Sequence, residues 1–325
     1  MTRKTRKIIL LITILFFVLI TPATLLYSWG YSFDWQDKKL VLTGGFYFTS
    51  VPKNADIYIN DQLQEKGTPT LIKRLLPKEY QIRISEQGYH SWQKTLKVES
   101  KIVTEAKNIL LIPLNPKIET VNENLAIDFS LKGFIEKEPN YIFYIKTPSH
   151  ILYRTDKENS FDEQISLTPL PSDHEYKVLT STNEQVAVLD ENNQLYLLNP
   201  QTKKFQLISQ DVQNVQFSID NKKILYFTPY EIWIYHLKGS DEVNDNKELV
   251  TRISQRIEQA IWYNTNEHII FYVEENIKIV ELDNRSNRNI VSLIELKIEE
   301  MAYSQKDERL YLVKDNKLLS ILLES

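Results

Sequence analysis

The feature that most constrains this chain is a strand–turn–strand unit that recurs through its last two-thirds. Asn214-Val215-Gln216-Phe217-Ser218, Gln259-Ala260-Ile261-Trp262-Tyr263 and Glu299-Glu300-Met301-Ala302-Tyr303-Ser304 open three copies. A polar turn follows each: Asp220-Asn221-Lys222, Thr265-Asn266-Glu267 and Lys306-Asp307-Glu308. Apolar strands come next, Ile224-Leu225-Tyr226-Phe227, Ile269-Ile270-Phe271-Tyr272 and Leu310-Tyr311-Leu312-Val313. A third strand completes each copy: Ile232-Trp233-Ile234-Tyr235, Ile277-Lys278-Ile279-Val280 and Leu318-Leu319-Ser320-Ile321. Residues 176–198 fit the same template more weakly, as do Ile127-Asp128-Phe129-Ser130, residues 141–145 and Ile151-Leu152-Tyr153 after a longer insertion. A unit this small buries its faces only against its neighbours, so the copies must stack.

Ser130, Ser181, Ser218, Asn264 and Ser304 mark the copies, with spacings of 51, 37, 46 and 40. Residues 117–325 thus give about 42 residues per copy, close to a four-stranded propeller blade. The expected fold of this region is a WD40-like β-propeller of about five blades, resembling that class by rhythm alone, because no blade carries a Gly-His or Trp-Asp signature. The last copy stops after three strands. Lys117 to Val121 is expected to supply the fourth and fasten the ring. An incomplete or six-bladed ring, and a repeat array of β-sandwiches, are the alternatives.

At the other end of the chain, residues 8–27 read IILLITILFFVLITPATLLY, twenty positions without a charge. A helix of that length spans about 30 Å, the thickness of a bilayer's hydrocarbon core. Arg3, Lys4, Arg6 and Lys7 precede it, and Tyr27 at its end forms an aromatic belt with Trp29 and Tyr31. Basic residues stay on the cytoplasmic side and amphipathic rings settle at the interface. Residues 1–33 are therefore read as a basic cytoplasmic tip and a transmembrane helix (span about 8–28), single-pass in the cytoplasmic membrane with the N-terminus inside. A cleaved signal peptide is the rival, but its apolar core is usually shorter and ends in a small-residue cleavage site. Both readings put residues 34–325 outside the cytoplasm.

From Leu40 the pattern changes to a period of two, and residues 34–113 are read as one β unit. Phe46-Tyr47-Phe48, Ile57-Tyr58-Ile59, residues 80–84 and residues 92–98 read as strands. Turn signals separate them: Pro52-Lys53-Asn54, Asn60-Asp61, Gly67-Thr68-Pro69, Leu76-Pro77-Lys78-Glu79 and Gln87-Gly88. Short strands at this spacing predict a compact antiparallel β-sandwich. The stretch from Ser50 to Asp61 resembles the opening of a PEGA domain, and Gly67-Thr68-Pro69, residues 76–82 and Gly88-Tyr89-His90-Ser91-Trp92 follow that pattern in order. The resemblance covers about residues 44–113. It departs at Asn54, where the family has Gly, and at Asn60-Asp61, where Asp-Gly is usual; Asn and Asp tolerate left-handed backbone, so the turns survive. The resemblance implies a non-catalytic module of cell-surface and envelope proteins with no shared catalytic or metal residues. Tyr89, His90 and Trp92 are a candidate aromatic patch for sugar, with packing in the sandwich core as the plainer reading.

Composition and motifs narrow the chemistry. The chain has no cysteine, which excludes disulfides, thiolate nucleophiles and Cys-ligated metals. Four of its 39 basic residues stand before the apolar run, leaving 35 against 43 acidic, a net of -8 for the remainder. An acidic body without a basic stripe repels phosphate backbones, so no nucleic-acid partner is expected. His90, His150, His174, His236 and His268 are scattered, with no metal-binding spacing, and there is no nucleophile elbow or phosphate-cradling loop. Asp241, Asp245 and Glu248 lack the order of a calcium loop and read as a solvated blade loop. No catalytic residue, cofactor or metal is expected. Tyr230, Trp233 and Trp262 read first as blade core, though a propeller's channel mouth is where a ligand sits; with Tyr89 and Trp92 they are the candidate ligand-binding residues.

The function expected from these features is a membrane-anchored, non-catalytic binding or scaffold protein of the cell envelope, presenting a propeller to an envelope protein or polysaccharide. The alternative is an envelope glycan hydrolase or lyase using acidic residues at the propeller channel. A sensor accessory is weaker, because a cytoplasmic tip of about seven residues is too short for a signalling domain.

Overall fold

The computed structural model describes residues 3–126, 129, 131, 141–171, 175–237, 244–264 and 266–323. Ile127, Asp128 and Ser130, expected to open the first repeat, lie outside the described residues, as do His174, Asp241 and Thr265. The chain divides into one unit ending at Ile112, which also takes Asn284–Asn287, and a second unit from Pro113 onward.

The first unit begins with α1 (Arg3–Ser28), a 26-residue helix with no buried residue and a mean hydropathy of 2.7 over its most apolar window. Its few hydroxyls are satisfied locally: Thr13 Oγ1 donates to Ile9 O at 2.9 Å and Thr24 Oγ1 to Thr21 O at 2.8 Å. Gly30, at φ 88°, turns the chain out of the helix in the left-handed conformation that glycine adopts without penalty. A hairpin follows, β1 (Tyr31–Asp34) and β2 (Lys39–Leu42).

Seven strands then build a sandwich. They are β3 (Gly44–Val51), β4 (Asp56–Ile59), β5 (Gln62–Leu63), β6 (Thr70–Leu75), β7 (Glu79–Ser85), β8 (Trp92–Lys97) and β9 (Val103–Leu110). One sheet has the order β6-β3-β9 and the other β5-β4-β7-β8. Strict alternation drives the packing: β8 buries Trp92, Lys94 and Leu96 and exposes the residues between them. Its apolar members join Phe46, Phe48, Ile57, Ile82 and Ile84 in a single core. The sandwich is not wholly antiparallel, because β3 and β9 pair in parallel. Those strands are joined through all of β4–β8, and only so long a crossover lets two strands run the same way. The turns that replace glycine do adopt left-handed backbone: Asn54 at φ 66°, Asn60 at 48° and Asp61 at 62°. Gly45 is required by close approach, since a Cβ there would stand 2.4 Å from Ile72 O.

The second unit is a β-propeller built from five sheets among the described residues. Its strands are β10 (Ile118–Asn122), β11 (Tyr141–Lys146), β12 (Ile151–Asp156), β13 (Glu163–Gln164), β14 (Tyr176–Thr180), β15 (Val186–Asp190), β16 (Leu195–Leu198), β17 (Phe205–Ser209) and β18 (Asn214–Phe217). There follow β19 (Lys223–Phe227), β20 (Glu231–His236), β21 (Lys247–Arg252), β22 (Ile257–Trp262), β23 (His268–Val273), β24 (Asn276–Glu281), β25 (Ile290–Glu295), β26 (Glu300–Ser304), β27 (Arg309–Lys314) and β28 (Lys317–Leu322). Sheets β14–β17, β18–β21 and β22–β25 are four-stranded antiparallel meanders, and β11–β13 form a three-stranded one. The fifth sheet has the order β10-β28-β27-β26, so the strand that precedes the first sheet completes the last.

Each sheet's first strand lies against the sheet before it: β14 against β11, β18 against β14, β22 against β18 and β19, and β26 against β22. Gln216 and Gln259 stitch this succession. Trp262 N donates to Gln216 Oε1 and its indole Nε1 to Gln216 O, each at 3.1 Å, while Met301 N donates to Gln259 Oε1 at 2.8 Å. Hairpin tips fall on acidic and amide residues: Glu274 and Glu275, and Asp315 and Asn316, take positive φ as consecutive pairs. That pairing is what a two-residue turn matching strand twist requires.

Candidate functional site

A cavity of about 440 Å³ opens between the second and third sheets of the propeller, within the range of small-molecule sites. Two connections frame it. One is Gln210–Gln213, which leads from β17 into β18; the other is Thr228–Tyr230, the tip between β19 and β20. They meet at one end of the third sheet because the first residue of β18, Asn214, pairs with the last of β19, Phe227.

Backbone hydrogen bonds hold both rims. Asp211 takes φ 58°, Val212 N donates to Asn193 O at 2.9 Å, and Gln213 N donates to Phe227 O at 2.8 Å. On the other rim Thr228 N donates to Glu231 O at 2.9 Å, closing the turn. The Pro229 and Tyr230 carbonyls accept from Ile257 N at 2.7 Å and Ile253 N at 3.0 Å. The Tyr230 backbone is thereby fixed, while its side chain stays out at 52% exposure.

Cross-strand pairing places the floor. Tyr226 and Trp233 are directly opposite on β19 and β20, and their rings stack at 6.4 Å with planes 5° apart. Tyr226 is 1% exposed, and burial pushes its phenol up to about 12 against the opposing hydrogen bond with Ser209. The phenol therefore stays protonated. Trp233 Nε1 donates to Glu231 Oε2 at 2.9 Å, and Arg252 Nε donates to Glu231 Oε1 at 2.6 Å, so both carboxylate oxygens are engaged. Lys247 opens β21 opposite Tyr235, on the same sheet face as Trp233, and lines the cavity. Burial holds its amine below the usual lysine range.

Of the residues singled out in the sequence, the fold brings Tyr230 and Trp233 together in this cavity. The other three lie elsewhere. Trp92 is 4% exposed in the sandwich core, and Tyr89 packs partly buried against the same core. Trp262 is 3% exposed, with its indole N–H already given to Gln216. The rings of Trp92 and Trp262 are thus packed inside their units rather than facing this cavity. Tyr226, Lys247, Asp211 and Gln213 were not singled out. Lys247 reaches the site through the pairing of β21 with β20, and nothing along its own strand marks it.

Glu248, considered above for calcium, is held by His236 Nε2 at 2.8 Å and by Arg288. Arg288 also donates to Leu249 O at 3.0 Å, which makes this trio a structural brace. Among the described residues no three His, Asp or Glu side chains are grouped to hold a metal ion.

Comparison with known proteins gives one family and a set of similar folds. No curated protein matches the chain in sequence. Among solved structures, Kluyveromyces lactis Hsv2 is 14% identical, with 84% of this chain and 72% of that chain covered at a TM-score of 0.41. The Myceliophteria thermophila Cps50 (Swd1) beta-propeller domain is 8% identical, with 74% of this chain and 79% of that chain covered at a TM-score of 0.42. The PEGA domain family matches residues 43–110, the span of the sandwich. The protein thus carries a PEGA domain ahead of its β-propeller.

Proposed function

We propose that this protein is a membrane-anchored binding or scaffold protein of the cell envelope, single-pass in the cytoplasmic membrane with its N-terminus inside. The propeller is the part that meets an envelope protein or polysaccharide, and the PEGA domain lies between it and the anchor in the sequence. One observation carries most of the weight: α1 is long and apolar enough to cross a bilayer, buries nothing, and leads straight into two β units. Four basic residues at its start favour retention of that end in the cytoplasm. The cavity with Tyr230 at its mouth is the natural place for a ligand.

The second reading is an envelope glycan hydrolase or lyase. Its support is that Asp211 and Glu231 line the same cavity. Hydrolysis needs a carboxyl able to give a proton and another able to activate water or attack. Glu231 is committed to Trp233 and Arg252, which favours binding over turnover.

The test uses the full chain in detergent micelles, immobilised and exposed to envelope fractions. The binding reading expects saturable retention of an envelope component that is released unchanged and is retained less by a Tyr230→Ala variant. Turnover of that component, abolished by Asp211→Asn, would establish the hydrolase instead. Equal retention on an unrelated membrane protein would refute both.

A further inference from the structure

Lys247 is the unexplained group of the cavity. It is half-buried, burial holds its amine below the usual lysine range, and among the described residues that amine has no ion-pair or hydrogen-bond partner. The neighbouring basic residue, Arg252, is taken up by Glu231, and Lys223 by Glu267. A half-buried ammonium gives up part of its hydration, and an anion within reach would replace what is lost. A ligand could supply that anion.

The rest of the lining says what else the ligand carries. Tyr230 is half exposed and lines the cavity together with Trp233, and an aromatic face packs well against the C–H face of a sugar ring. Gln210, Gln213, Asp211 and Thr228 place amide, carboxylate and hydroxyl groups around the rim, suited to hydroxyl-rich ligands. A volume of about 440 Å³ has room for one or two sugar rings.

We infer that this cavity binds an anionic saccharide, a sugar unit bearing carboxylate or phosphate, with Tyr230 stacking on the ring and Lys247 pairing with the charge. This deepens the binding reading above and rests on it. The net charge of -8 outside the N-terminal tip repels such a polymer at long range, so recognition is short-range and gains nothing from steering. At physiological salt the Debye length is about 8 Å, which confines that repulsion further.

The experiment is calorimetric titration of the full chain in detergent micelles with three probes: a tetrameric uronate, an oligomeric glycerol phosphate and a neutral tetrasaccharide. At least one anionic probe is expected to bind tenfold or more tighter than the neutral one. Lys247→Gln should bring that probe down to the neutral level, Lys247→Arg should restore most of it, and Tyr230→Ala should weaken all binding. The two anionic arms separate carboxylate from phosphate. Among the described residues neither the Lys247 nor the Tyr230 side chain has a hydrogen-bond or ion-pair partner, and the substitutions leave the backbone bonds of Tyr230 and the pairing of Lys247 with Tyr235 in place, so unchanged melting temperatures are expected and serve as the folding control. No measurable binding of either anionic probe, or equal binding by Lys247→Gln and the parent, would overturn the assignment. If envelope components are still retained in that event, the binding function stands and only the ligand class falls.

Discussion

Closure of the propeller by β10 can be tested with a crosslink, because the chain contains no cysteine to compete. Thr120 and Leu319 are Cα partners across β10 and β28, with Thr120 exposed and Leu319 half-buried. Opposed residues in an antiparallel pair have Cα atoms about 4.5–5.5 Å apart, inside the range a disulfide spans. A Thr120→Cys/Leu319→Cys variant should therefore form an intramolecular disulfide on mild oxidation. The closed loop holds about 200 residues, for which the chain-entropy relation gives about 5 kcal/mol as an upper figure. At about 2–4 °C per kcal/mol for a unit of this size, oxidation should raise the propeller's melting temperature by about 10 °C or more. The assay is a thermal scan of the oxidised and reduced variant, with gel mobility reporting the bond. A control pair, Thr120→Cys with Leu167→Cys, tests specificity; Leu167 belongs to the segment after β13, and no crosslink is expected. Failure of the first pair to oxidise, or oxidation that leaves the melting temperature unchanged, would refute the ring closure described here.

Three further outcomes follow from the packing. His268 is buried and its imidazole is depressed to about 4, against 6.5 when exposed. The unfolded chain therefore binds the extra proton between those values, so stability is complete above pH 6.5 and declines by up to about 3 kcal/mol as pH falls to 4. Urea unfolding at pH 7.5 and 4.5 should show a smaller difference for His268→Gln than for the parent; equal differences would dismiss the role of this residue. Gly45→Ala should destabilise the sandwich by about 2 kcal/mol or more, because its Cβ would press on the Ile72 carbonyl, and an unchanged midpoint would contradict that contact. Trp262→Phe should cost about 1–2 kcal/mol through loss of the indole bond to Gln216 while leaving ligand retention intact. Weakened retention at unchanged stability would instead make Trp262 part of a binding surface.

The repeat was legible because each blade buries its own alternating strands, so Ile269–Tyr272 and Leu310–Val313 declare themselves without reference to distant residues. The closing strand was legible for a different reason: a last copy one strand short leaves β28 with an unpaired edge. The parallel pairing of β3 with β9 was not, since register between strands separated by the whole β4–β8 meander leaves no local mark. The cavity was half legible. Tyr230 and Trp233 stand out as large aromatics near a hairpin, but Trp262 and Trp92 look the same in sequence and only tertiary packing buries them. Lys247 gained its meaning from the neighbours that β20 and β19 place beside it, and no pattern along β21 carries that information.

The proposed envelope role requires α1 to cross the cytoplasmic membrane with both β units on its outer side. Limited proteolysis of intact cells lacking an outer barrier, followed by mass spectrometry of the membrane-retained fragment, measures this directly. Cleavage should remove sequence beyond Asp34 and leave a fragment containing Ile8 to Tyr27 in the membrane. Full protection of residues 34–325 until the cells are lysed would contradict the orientation and the envelope role with it.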